Sequence, residues 1–237
     1  FVDDEPTRYI GKIQEKTIIF ATYNTETSKE MKHFRLLTHL ILTLATFNSG
    51  AQTARIYTSA DGLANSHIHD IFQDSKGFIW FATENGLSRF DGIKFNNATF
   101  DRSRTNSIAS NTVRAVFEDC MGTFWVGTSA GLQIFDTEHS SFTKINLEDW
   151  SVPDSDQHIT DVMEIMHNGA RKIIAATSGH GIYIIGADNH KTDLESQSLI
   201  NNALPSKFIS KIFLDSRNRL WIATDTGGIS VFEINGI

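Results

Sequence analysis

The sequence is poor in the features that mark disulfide-bonded proteins, nucleic-acid-binding proteins and membrane spans. Cys120 is the only cysteine, so no intrachain disulfide can form, and a catalytic thiol would need a His/Asn or His/Asp partner that the sequence does not identify. The 28 acidic side chains outnumber the 21 basic ones, and the basic residues form no cluster, which argues against a nucleic-acid partner. No apolar run reaches the roughly 20 residues of a membrane-spanning helix.

One apolar run is nevertheless informative. It covers residues 36–47, follows a short basic segment that begins at Met31, and precedes small residues that end at Ala51. This three-part layout predicts a secretory signal peptide over residues 31–51, with residues 1–30 as an upstream or unstructured segment. A buried core helix or a single signal-anchor is the alternative.

A motif of about 14 residues occurs four times after residue 52. Three copies begin at Asp74, Asp119 and Asp215, and a more divergent copy begins at Asn168. The threonine that all four share recurs at spacings of 45, 49 and 47 residues. A period of about 40–50 residues made of short β-patterned runs is typical of a β-propeller.

The first copy shows how one repeat forms a blade. An alternating strand pattern ends at Asp74, a type I turn covers 74–77, and an apolar run follows to Thr83. Asp91-Gly92 predicts a two-residue hairpin before an outer strand at 93–95. The sequence thus predicts an all-β propeller with about four four-stranded antiparallel blades, part of a larger ring of the seven-bladed type. The predicted blades cover 61–100, 106–147, 156–190 and 204–237 within a domain at 52–237.

The recurring residues are interpreted as structural. Each of the three motif tryptophans shares a sheet face with a small residue two positions later, so that neighbouring blades can interlock; sugar stacking on the rings is the alternative. The predicted structural motif consists of Asp74, Gly77, Trp80, Thr83, Gly86, Asp119, Gly122, Trp125, Thr128, Gly131, Asp215, Trp221, Thr224 and Gly228.

These residues resemble a known repeat. Residues 61–92, and again 106–136, closely resemble the two-component regulator propeller repeat, and residues 204–233 do so with Asn218 in place of the turn glycine. The resemblance covers nearly all of the chain after residue 52 and is weak at 156–185. It identifies the chain as an N-terminal fragment of the extracytoplasmic sensor region of a hybrid two-component histidine kinase.

The resemblance also implies a function and partners. In that family, propellers precede an immunoglobulin-like module, a membrane span and a cytoplasmic histidine kinase, and the sensor region binds an oligosaccharide. The chain would then be exported to the periplasmic side of the inner membrane, where it would control transcription of glycan-use genes without contacting nucleic acid. Kinase activity would belong to residues outside this sequence, and a homodimer is compatible with the family.

Specific binding residues are harder to assign. The irregular stretch 137–160 makes Trp150, Asp154 and His158 candidates for sugar binding, although Trp150 would also fit against a blade edge. His67 and His69 share a strand face, but no further ligand completes a metal set at usual spacing, so neither a metal nor a cofactor is predicted. A secreted propeller enzyme, such as a lyase or glycoside-processing protein, and a non-catalytic interaction scaffold remain the alternative functions.

Overall fold

A computed structural model of the chain describes residues 54–147 and 158–234. The predicted signal peptide at 31–51, the upstream segment at 1–30, and the candidates Trp150 and Asp154 lie outside these residues. No helix in the described ranges is long and apolar enough to cross a membrane.

The described strands form four separate antiparallel sheets, called blades 1 to 4 in chain order. Within each blade, strands that follow one another along the chain are neighbours in the sheet. Blades 1 and 2 have four strands each, and blades 3 and 4 have three. The strands are β1 (Ile68–Gln73), β2 (Ile79–Thr83), β3 (Gly86–Phe90) and β4 (Phe95–Ala98) in blade 1; β5 (Val113–Glu118), β6 (Phe124–Thr128), β7 (Gly131–Asp136) and β8 (Ser141–Lys144) in blade 2; β9 (Ile159–His167), β10 (Ala170–Thr177) and β11 (Ile182–Gly186) in blade 3; and β12 (Ile209–Leu214), β13 (Arg219–Thr224) and β14 (Gly228–Glu233) in blade 4.

This arrangement confirms the propeller class, but blades 3 and 4 have three strands in the described residues and not the four that were predicted. After β11, Thr192 makes only an isolated bridge to Ile185, and the chain then enters a helix, α1 (Leu194–Ala203). Asp193 is the N-cap of α1, accepting a hydrogen bond from the backbone N–H of Ser196, and it also pairs with Lys172. The other described helix is a single 3-10 turn, Ser59–Asp61, before β1.

One hairpin also departs from the sequence-based expectation. Phe90 pairs with Phe95, so the hairpin between β3 and β4 has a four-residue loop, and β4 begins two residues later than the predicted outer strand. The Asp91 carboxylate accepts from the backbone N–H groups of Ile93 and Lys94, which stabilises the longer loop. In the divergent copy, Asn168 and Gly169 both take positive φ in a two-residue connection between β9 and β10.

The apolar cores lie between consecutive blades. Trp80 of blade 1 packs against Phe124 and Phe135 of blade 2, with ring centroids 4.5 and 5.7 Å apart. Trp125 belongs to the core shared by blades 2 and 3, and Ile200 of α1 is buried in the core between blades 3 and 4. Burial on both faces explains why the middle strands read as nearly continuous apolar runs.

Polar contacts between the first strands of neighbouring blades complete the stacking. The Asp70 carboxylate accepts from the backbone N–H of Val116 in the next blade at 3.1 Å. The Asp161 carboxylate accepts from the backbone N–H of Ile212 in the next blade at 2.9 Å, and the Lys211 ammonium pairs with the same carboxylate at 3.0 Å. These bonds hold the first strands of blades 1 and 2, and of blades 3 and 4, side by side.

Candidate functional site

The repeated motif residues stabilise the blade turns through hydrogen bonds. Asp74 accepts hydrogen bonds from the backbone N–H groups of Lys76 and Phe78 and from the indole N–H of Trp80. Asp119 and Asp215 repeat this pattern in blades 2 and 4. Asn218 takes the left-handed conformation that glycine supplies in the other two turns, which asparagine tolerates well.

The shared threonine closes the second turn of every blade. Thr83 donates to the backbone carbonyl of Gly86 and accepts from the backbone N–H of Asn85. Thr128, Thr177 and Thr224 make the equivalent pair of bonds. The glycine-rich strings at 177–181 and 224–228 are therefore hairpin turns.

The residue that follows each of these threonines is fixed beside the first strand of its blade. The backbone N–H of Glu84 donates to the carbonyl of His67 at 3.1 Å, and the bond repeats in every blade. The other three pairs are Ser129 with Thr112, Ser178 with His158, and Asp225 with Phe208, each at 3.0 Å. Each of these bonds therefore places the residue after the threonine, whose identity differs between blades, beside one end of the first strand of its blade.

A bulge lies next to each of these bonds. The register of the first strand shifts between Ile68 and Asp70 in blade 1, and corresponding shifts occur in the other three blades. The residue that the bulge leaves unpaired is His69, Arg114, Thr160 or Ser210, according to the blade. Bulges commonly re-aim a side chain near functional sites.

The four bulge residues meet at one cavity of about 250 Å³, called here the central cavity. Its lining is His69, Arg114, Thr160, Ser178, Ile209, Ser210 and Asp225. Two of its polar atoms, Arg114 Nε and Thr160 Oγ1, are buried and have no hydrogen-bond partner among the residues that the structure describes. Buried polar atoms are normally paired, so the central cavity is suited to a polar guest.

Charged groups surround the blade 1 end of the central cavity. His69 Nε2 lies 2.6 Å from Glu84 Oε2, and the Thr112 hydroxyl donates to Glu84 Oε1 at 3.2 Å. The hydrogen bond from His69 holds the pKa of Glu84 below its ordinary value, with the Thr112 bond and the charge of Arg114 acting in the same direction and burial opposing them. Glu84 is therefore an ionised acceptor at neutral pH.

A second cavity, of about 260 Å³, lies between the outer parts of blades 1 and 2 and is called the outer groove. Its polar side chains include Arg89, Asn97, Asp101 and Arg104, beside the rings of Trp80, Phe135 and Phe142. Arg89 Nε is also buried without a hydrogen-bond partner in the described residues. Residues of two blades line the outer groove, whereas one equivalent residue from each of the four blades lines the central cavity.

The three binding candidates from the sequence are placed only in part. His158 lies directly before β9, half-buried, with its carbonyl bonded to Ser178, which lines the central cavity. Sequence reasoning did not identify Arg114, Thr160 and Ser210. For Arg114 and Ser210 the position in the repeat could have indicated the site, because each lies five residues before a motif aspartate, as His69 does.

Comparisons with known proteins agree with this architecture. The family model described as "Two component regulator propeller" matches residues 62–85 and 203–226. No curated protein matches the chain. The extracellular domain of the proposed hybrid two component system BT3049 from B. thetaiotaomicron is similar over 76% of this chain, with 25% identity and a TM-score of 0.64. That of the proposed hybrid system BT4673 from the same organism is similar over 76%, with 18% identity and a TM-score of 0.60.

The chain spans about a quarter of each of these solved structures, 25% and 26% respectively. The match at 18% identity supports the fold alone, whereas the family match falls on the turns and strands of blades 1 and 4. In blades 1 and 4, the aspartate, tryptophan and threonine of the turns lie within the matched residues. The described part of the chain is therefore a β-propeller segment in which residues 62–85 and 203–226 match the two-component regulator propeller repeat.

Proposed function

We propose that this chain is the ligand-sensing part of the extracytoplasmic region of a hybrid two-component sensor, and that it detects an oligosaccharide in the central cavity. The observation that carries the proposal is the convergence of one variable polar residue from each blade on that cavity. Guanidinium, hydroxyl, imidazole and carboxylate groups at 69, 114, 160, 210 and 225 offer both donors and acceptors for sugar hydroxyls. Similarity to an extracellular domain of a two-component system supports the sensing role.

Ligand binding would act by shifting a population of blade arrangements. A guest that bonds to Arg114 and Thr160 contacts blades 2 and 3 together, and contacts with His69 and Ser210 would add blades 1 and 4. A ligand shifts an equilibrium only by its differential affinity for the two states, and contacts shared among blades provide that difference. A downstream immunoglobulin-like module and histidine kinase would convert the shift into transcription of glycan-use genes.

The test is a panel of oligosaccharides from plant, host and microbial glycans, assayed by thermal melting of the full-length protein. A bound sugar at 100 times its Kd stabilises the folded state by about 2.7 kcal/mol. Arg114→Gln should remove the stabilisation, whereas Arg104→Gln, an exposed residue of the outer groove, should retain it. The reverse pattern would place the ligand in the outer groove.

Two further outcomes would contradict the sensing proposal. A panel of broad composition that gives no melting shift would favour a scaffold. Shortened or unsaturated sugars in the incubation mixture, detected by mass spectrometry, would favour a secreted propeller enzyme.

A further inference from the structure

His67, His69 and Glu84 form a cluster at the blade 1 end of the central cavity. One nitrogen of each histidine and one carboxylate oxygen all lie within 4.8 Å of one another. The backbone explains this proximity. The bond between the Glu84 N–H and the His67 carbonyl places the turn beside the strand, and the bulge at 68–70 keeps His69 next to His67, with ring centroids 4.8 Å apart.

We propose that these three side chains form a Zn²⁺ site. Two imidazoles and one carboxylate are a donor set that Zn²⁺ binds well, and three protein ligands leave a fourth position open to water or a ligand. With bonds of about 2.0–2.1 Å, tetrahedral ligand atoms lie about 3.3 Å apart. The His69 and Glu84 atoms lie 2.6 Å apart and no two ligand atoms of the cluster lie more than 4.8 Å apart, a range that includes this spacing.

The surroundings of the cluster support a metal. Thr112 of blade 2 donates to the Glu84 oxygen that does not face His69, so the carboxylate is oriented from its far side. The same bond would connect a metal on blade 1 to blade 2. Arg114 is the opposing influence, because it also lines the central cavity and its positive charge acts on Glu84.

The exposure of the cluster leaves it open to an ion from solvent. His67 and Glu84 are exposed, and the His69 side chain keeps 15% of its surface accessible. This proposal does not depend on sugar sensing, because the three ligands would bind Zn²⁺ whether or not the central cavity holds an oligosaccharide.

The experiment is a titration of the full chain with Zn²⁺ against a chromophoric chelator, repeated with Co²⁺ to record the visible d–d bands of a nitrogen- and oxygen-bound ion. We expect one saturable site. His69→Gln and Glu84→Gln should each weaken binding at least tenfold, and Thr112→Val should weaken it about tenfold, as is typical of residues that orient a ligand.

The matched control is His139→Gln. His139 also contacts a carboxylate, Asp136, at 2.7 Å, but it lies on the exposed turn between β7 and β8, outside the cluster, so its substitution should leave Zn²⁺ affinity unchanged. Circular dichroism melts verify that each variant is folded. The proposal would be overturned by the absence of a saturable site, or by affinities that His69→Gln and Glu84→Gln leave unchanged. It would also be overturned if His139→Gln lowered the affinity equally.

Discussion

The buried carboxylate of Asp119 accepts a hydrogen bond from the indole Nε1 of Trp125 at 3.1 Å. The other oxygen of the same carboxylate accepts from the backbone N–H groups of Met121 and Thr123, so one side chain connects the turn to the ring that packs against blade 3. The recurrence of aspartate and tryptophan six residues apart thus has one physical cause in blades 1, 2 and 4.

Asp119→Asn tests this connection. The amide can keep an oxygen toward the turn, but its NH₂ then faces the indole N–H, leaving two donors together in a buried place. We expect the free energy of unfolding to fall by about 1–3 kcal/mol. Asp74→Asn is the comparison, because the buried Asp74 makes the same three bonds, one of them to the buried Trp80, and it should lose a similar amount. Urea unfolding followed by tryptophan fluorescence measures both variants, and a loss in only one of them would contradict the argument.

The shared threonine gives a second prediction. Thr128→Val keeps the shape of a fully buried side chain but removes the hydroxyl that bonds to the Ala130 N–H and the Gly131 carbonyl. Leaving these groups unpaired should cost about 1–3 kcal/mol. Thr143→Val, at an exposed position on β8, is the control and should change stability by less than about 0.5 kcal/mol. A thermal melt that shifts equally for both variants would refute the assigned role.

The features that all repeats share could be predicted from the sequence, whereas the residues that differ between repeats were not recognised as a site. Strand positions, the turn role of Asp74 and the close packing beside Gly127 follow from residues that recur, because the same blade must be built each time. The residues of the central cavity differ at every copy: His69, Arg114 and Thr160 have no chemistry in common. Only the bulge geometry brings these residues together, and recurrence along the sequence does not identify them because they differ between repeats.

Other features depended on contacts distant in sequence. The bond of Asp70 to Val116 joins residues 46 positions apart, and nothing in the local pattern of β1 indicates it. The helix α1 replaces a fourth strand because Asp193 caps it and Ile200 fills the core between blades 3 and 4. Neither the cap nor the packing could be predicted from the repeat pattern, because the third copy diverges from the other three.

Cys120 occupies a position with a structural role that the sequence did not reveal. Its N–H and Sγ contact the two carboxylate oxygens of Glu164 in the next blade, at 2.9 and 3.3 Å. Ser75 makes the same pair of contacts to Glu118. The thiol therefore replaces a hydroxyl in an inter-blade contact.

We expect Cys120→Ser to preserve or strengthen this contact and Cys120→Ala to weaken it. Since the site is exposed, the difference between the two variants should be about 0.5–1.5 kcal/mol in the free energy of unfolding. Urea denaturation under reducing conditions measures it. Equal stability of the serine and alanine variants would mean that the side-chain contact contributes nothing.

The pH dependence of stability provides a fourth prediction. The hydrogen bond from Trp221, with those from Arg219 and Arg217, holds the pKa of Asp215 well below its ordinary value of about 3.9, although burial opposes them. A carboxylate with a lowered pKa in the folded state stabilises the protein above the unfolded-state pKa, and this contribution is lost as the pH falls below it. Asp215→Asn should therefore show a shallower loss of stability between about pH 4 and pH 2 than the unmodified chain. Parallel profiles of urea midpoint against pH would contradict this.

Close packing between blades 2 and 3 gives the last prediction. A Cβ added at Gly127 would lie 2.5 Å from Cγ2 of Ile159 in the neighbouring blade and 3.3 Å from Cβ of Ala115. Gly127→Ala should therefore separate the two blades and lower the free energy of unfolding by about 1–3 kcal/mol, even though alanine is the better strand residue. The equivalent position in blade 1 already holds Ala82, so the effect comes from this interface and not from the fold in general.

The double variant Gly127→Ala with Ile159→Ala makes the argument specific. Ile159→Ala alone opens a cavity beside Gly127 and should cost about 2–5 kcal/mol. In the double variant the new methyl group occupies part of the space that Ile159 Cγ2 leaves, so the total loss should be smaller than the sum of the two single losses. Thermodynamic additivity, measured by urea unfolding of all four proteins, would show that the two side chains do not compete for this space.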